Sequence, residues 1–152
     1  MKSPHIAALV FLALSPSVHA FSNDGCYELN DSRYLHSSGA IERICINRIG
    51  NEDLQGYVLA NVALELDHRT SWICYKDVTL WEGLRRPGGS HIDITFPRFR
   101  MSASCDSVNG SGSVEWIAKG SAPGYSYKVQ DYRLLTTDTS SAAFQTAMAA
   151  CK

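Results

Sequence analysis

A chain of 152 residues with 14 lysines and arginines against 15 aspartates and glutamates has a formal charge of −1, so no bulk charge draws it to nucleic acid or to an anionic membrane. No apolar run approaches the roughly 20 residues that cross a bilayer as a helix, and membrane insertion is not expected. With 45% hydrophobic residues, the composition is that of a globular domain with a real core.

Lys2, the apolar run from Ala7 to Leu14 and the small-residue ending Val18-His19-Ala20 read as a secretory signal over residues 1–20. Residues 21–152 then form a single domain located in the periplasm or outside the cell. No cysteine stands where Ala20 meets Phe21, so a lipidated first residue is not expected. Loss of Lys2 takes the charge to −2, and nine arginines face four lysines in the mature part.

All five cysteines, Cys26, Cys45, Cys74, Cys105 and Cys151, lie in that part, and an oxidising compartment makes them disulfide candidates first. An odd count allows two internal bridges and one leftover thiol, with the pairing left open. There is no Cys-x-x-Cys and no His-x-x-x-His, so neither a metal nor a cofactor is expected.

Alternation of apolar and polar residues marks strands around 41–49, 57–66, 71–81, 91–101, 113–119 and 125–135. The clearest is 57–66, where Val58, Ala60, Val62, Leu64 and Leu66 share one face. Turn chemistry separates the strands at Gly50-Asn51, Asp67-His68, Arg86-Pro87-Gly88-Gly89, Asn109-Gly110-Ser111-Gly112 and Ala122-Pro123-Gly124. Strands joined by short turns, with no helical pattern between them, predict an all-β fold, a small antiparallel barrel or a sandwich. A short C-terminal helix follows Ser140 or Ser141, with Phe144, Ala147, Met148 and Cys151 at three- and four-residue spacing. It is expected across one barrel end, where Cys151 either pins it or, if left over, links two chains.

Catalytic signals are sparse. Gly110-Ser111-Gly112 lies in a hairpin turn rather than on a strand-to-helix elbow, and Asp67-His68 falls in another turn. His91 and Asp93 share a strand face and can pair there. A small hydrolase would need His68 or His91 to meet a carboxylate and a nucleophile in one pocket; no enzymatic activity is expected. Arg85 and Arg86, with Arg98 and Arg100, make the most basic stretch, a basic patch if they gather on one sheet edge. Trp72, Trp81 and Trp116 offer a minority reading as sugar-stacking rings.

Met101-Ser102-Ala103-Ser104, then Val114-Glu115-Trp116-Ile117-Ala118-Lys119-Gly120 after a glycine-rich turn, then Tyr127-Lys128, Leu134-Leu135 and the late Cys151 resemble the end of the membrane-bound and periplasmic C-type lysozyme inhibitors. This chain has Cys105 where that pattern has glycine, Val108 where it has tyrosine, and two residues rather than one between Trp116 and Lys119. The resemblance implies an eight-stranded antiparallel barrel and a protein partner, with Ser104 and Lys119 reaching into the partner's cleft. The expected function is binding and inhibition of a cell-wall-degrading enzyme. The alternatives are a periplasmic immunity protein against a secreted toxin and a barrel that carries a small ligand.

Overall fold

The computed structural model describes residues 21, 23–31, 33, 40–66, 71–85, 89–106, 111–119 and 128–152, with the side chains of residues 84, 85, 89, 105, 106, 111 and 128 outside the description. The signal segment 1–20, Arg86, His36 and His68 lie outside the described residues. Eight strands run in sequence, β1 (Gly25–Leu29), β2 (Ile41–Arg48), β3 (Tyr57–Leu66), β4 (Trp72–Arg85), β5 (Gly89–Thr95), β6 (Phe99–Asp106), β7 (Ser111–Ala118) and β8 (Lys128–Thr136), followed by helix α1 (Ala142–Ala149). Each strand pairs antiparallel with the next, and β8 pairs with β1 to close a barrel. Closure removes the unpaired sheet edges that a sandwich would leave.

Period-2 alternation sends one set of side chains inward. Val58, Ala60, Val62 and Leu64 of β3 meet Ile44 and Ile46 of β2, Leu80 of β4, Ile92 and Ile94 of β5, Met101 of β6 and Trp116 of β7 in one core. An eight-stranded barrel is just wide enough for its own side chains to fill it, and Trp116, Tyr27, Tyr132, Phe21 and Phe96 are the largest fully buried ones. Each such side chain contributes about 1.5–3 kcal/mol by leaving water. Phe21 stacks on Tyr27 at 4.3 Å at one end, where the Arg48 guanidinium bonds the Phe21 carbonyl at 2.8 Å, Asp24 at 3.0 Å and Glu82. Burial raises the Glu82 pKa above its ordinary value, against the pull of Arg48. Deeper inside, Gln130 Oε1 accepts from Trp116 Nε1 at 3.2 Å, and the Tyr132 hydroxyl donates to the Ile41 carbonyl at 2.7 Å.

Three features differ from the sequence expectation. β1 was not anticipated, because five residues, Gly25-Cys26-Tyr27-Glu28-Leu29, are too few for a clear period. The expected strand 91–101 is two, β5 and β6, folded back at Pro97-Arg98 with Phe96 N–H donating to the Phe99 carbonyl at 2.9 Å; the two phenylalanine rings stack at 4.5 Å. Finally, α1, capped by Ser141 Oγ accepting from Phe144 N–H, lies on the outer wall and not across a barrel end. Phe144 and Ala147 pack on Cys26, Cys45 and Ala63, flanked by Trp72 and Met148.

The bridges follow from this register. Cys26 and Cys45 stand directly opposite on β1 and β2 and are joined. Cys74 on β4 is joined to Cys151, 77 residues on, which fixes the end of the tail to the wall and leaves Cys151 no thiol for a chain-to-chain link. Cys105 sits on β6. Two disulfides fit an oxidising compartment, and among the described residues no helix is long and apolar enough to cross a membrane.

Candidate functional site

Register places the outward residues of β3 to β7 in rows. Tyr57, Trp81, Asp93, Ser102 and Glu115 form one row from β3 across to β7, and Gly83, His91, Ser104 and Ser113 form the next. Because directly opposed side chains on neighbouring strands lie about 5 Å apart, a histidine in such a row is within bonding reach of its neighbours. His91 Nδ1 lies 3.0 Å from Ser104 Oγ, and Nε2 lies 3.2 Å from Asp93 Oδ1 and 3.3 Å from Ser102 Oγ. The ring is thus held on both nitrogens.

Trp81 completes this cluster. A Cβ added to Gly83 would sit 2.2 Å from the tip of the Trp81 indole, so the missing side chain at Gly83 is what allows the indole to lie along the wall. Its Nε1 donates to the Gln55 carbonyl at 3.0 Å, and its centroid is 6.0 Å from that of His91. The turn that supplies Gln55 is closed by hydrogen bonds. Asp53 accepts from the N–H groups of Gln55 at 2.8 Å and Tyr57 at 3.0 Å, and Gly56 adopts φ 86° where a Cβ would press 2.8 Å from the Glu82 carbonyl. Leu54 is fully exposed at its tip, with Tyr57, Leu59 and Ile49 nearly half exposed.

The residues singled out from sequence fall in different places. Ser104 opposes Ser113, whereas Lys119 follows Ala118 at the other end of the same hairpin; at about 3.3 Å per residue the two are roughly 20 Å apart. Ser104 belongs with His91, and Lys119 belongs with the arginines. Lys119 N–H donates to the Arg98 carbonyl at 3.0 Å, and Lys119, Arg98 and Arg100 are all exposed. No carboxylate among the described residues pairs with any of the three, and residues 120–127 contain no acidic residue. Arg85 stands at the opposite end of β5 from Arg98, in register with Gly89. The basic stretch is therefore divided, and its gathered part is Arg98, Arg100 and Lys119.

Ser104, His91 and Asp93 have the connectivity of a nucleophile, base and orienting carboxylate. β6 pairs with both β5 and β7 along this stretch, so the backbone N–H groups of these described strand residues serve the ladder. Glu65 and Glu82, two further carboxylates, are engaged by Arg43 and Arg48. Among the described residues no three His, Cys, Asp or Glu side chains gather as metal ligands.

The His91–Asp93 contact was readable from i, i+2 spacing, but its serine partners required the β5–β6 register. The Trp81–Gly83 contact and the Leu54 turn were missed. Glycine two residues from tryptophan inside a strand, and Asp53 three residues before Gly56, are the local signals for them. Comparison of the chain with protein-family models, curated proteins and solved structures finds no match in any of the three.

Proposed function

We propose that the mature chain is a periplasmic or secreted protein that binds and inhibits a cell-wall-degrading enzyme of the C-type lysozyme kind, as the sequence resemblance implies. The observation that carries this reading is the exposed trio Arg98, Arg100 and Lys119, gathered at one barrel end without a carboxylate partner among the described residues. Glycoside hydrolases of this kind work with a pair of carboxyl groups in an open cleft, and a cationic end is complementary to such a cleft. The interior, filled by Trp116, Tyr27, Tyr132 and their neighbours, favours partner binding on the outside over carriage of a ligand within.

The test is calorimetric titration of the oxidised mature chain into a C-type lysozyme. Lys119→Ala and the Arg98→Ala, Arg100→Ala pair are expected to weaken binding about tenfold or more each, and binding should weaken further as salt rises. No heat of binding at micromolar concentrations rejects this target, and a secreted toxin becomes the partner to seek.

A further inference from the structure

We propose that the outer wall of β4 to β6 carries a saccharide site, in which one pyranose ring stacks on the Trp81 indole and its hydroxyls bond the cluster of Asp93, His91, Ser102 and Ser104. This site is separate from the cationic end and does not depend on the function proposed above.

The Trp81 indole is held in place on the wall. Its tip takes the space over Gly83, its N–H edge is tied to the β2–β3 turn through the Gln55 carbonyl at 3.0 Å, and His91 stands on the β5 side at 62° to its plane. Held along the wall at tip and edge, the ring is a fixed platform, and the electron-rich face of an indole attracts the polarised C–H bonds of a sugar ring.

A polar set lies beside it. Asp93 and Ser102 are direct cross-strand neighbours, as are His91 and Ser104, so the Cβ atoms of each pair stand about 5 Å apart across the strands. This is the scale on which hydroxyls are distributed around a pyranose. The His91 bonds at 3.0, 3.2 and 3.3 Å orient all four groups before any ligand arrives, while the Asp93 carboxylate, with two oxygens, keeps acceptor capacity for further bonds.

The Asp93 carboxylate repels an anion, and four polar side chains would be left poorly matched beneath an apolar peptide. A neutral polyhydroxyl ligand uses both the ring and the polar set.

The experiment is a two-dimensional 1H–15N NMR titration of the oxidised mature chain with β-1,4-linked N-acetylglucosamine tetramer and, separately, cellotetraose, following the Trp81 Nε1–H signal. The expected result is a saturable shift with at least one of the two. Trp81→Ala abolishes it, Trp81→Phe restores it in part, Ser104→Ala weakens it about tenfold, and Lys119→Ala leaves it unchanged. The urea midpoint of each variant establishes that it is folded. No saturable shift with either tetramer, or binding retained in folded Trp81→Ala, overturns the proposal. So does Ser104-dependent turnover of p-nitrophenyl acetate, which would assign the same cluster to catalysis. Loss of lysozyme binding in Lys119→Ala with the sugar shift intact separates this site from the inhibitory one.

Discussion

On β1, β2 and β3 the outward positions Cys26, Cys45 and Ala63 are fully buried beneath α1, whereas on β4, β5 and β6 the outward positions Trp81, His91, Asp93, Ser102 and Ser104 stay part-exposed, the last four joined by hydrogen bonds through His91. Both halves are strands of the same barrel with the same alternation. The difference lies in side-chain size and polarity: small and sulfur-bearing residues leave a smooth apolar wall onto which Phe144 and Ala147 can dock, and polar rows do not. One half of the wall therefore adds to the stability of the fold, and the other stays partly open to solvent.

Mutations in the two halves should separate along that line. The largest effect is expected from replacing Cys74 and Cys151 together by serine, since a bridge 77 residues long constrains the unfolded chain by about 4 kcal/mol; urea unfolding measures it, and a loss below about 1 kcal/mol would mean that packing alone holds α1. Phe144→Ala, emptying a site that is 4% exposed, should cost about 3 kcal/mol by the same assay. On the open half, Gly83→Ala forces the indole off its seat at a cost of about 1 kcal/mol and shifts the Trp81 Nε1–H signal. Ser104→Ala should change stability by no more than about 0.5 kcal/mol; a larger loss would make the polar rows structural and erase the contrast.

The smallest effect is a pH dependence at the end of β1. Hydrogen bonds from Arg33 hold the Asp31 carboxyl at about 2, down from 3.8. A depressed carboxylate stabilises the fold above its unfolded pKa, so this contribution is complete above about pH 4 and is lost as pH falls toward 2. Arg33 is 65% exposed, which keeps the effect small through screening. Asp31→Asn should flatten the stability profile in that window while leaving the profile above pH 5 unchanged.

The core of the barrel was legible wherever a strand was long enough to show its period, as in β3, where Val58, Ala60, Val62 and Leu64 all face inward. Short β1 gave no period to read. The Phe96-Pro97-Arg98 fold-back was hidden because apolar residues continue on both sides of it, at Ile92, Ile94, Phe99 and Met101. Helix α1 was visible from its spacing, but its seat was not, since nothing local says that Cys26, Cys45 and Ala63 will form a contiguous outer patch. The disulfide pairing depended on that same register. For the surface, i, i+2 spacing disclosed His91 with Asp93, while the separation of Ser104 from Lys119 became apparent only once β6 and β7 were paired.

The most direct test of the proposed inhibition is the rate of lysis of peptidoglycan-bearing cells by a C-type lysozyme in the presence of the oxidised mature chain. Stoichiometric inhibition by the wild-type chain is expected, reduced about tenfold or more by Lys119→Ala or by joint replacement of Arg98 and Arg100, and little changed by Ser104→Ala. Undiminished lysis at a micromolar excess of the chain, or inhibition insensitive to all three cations, would contradict it.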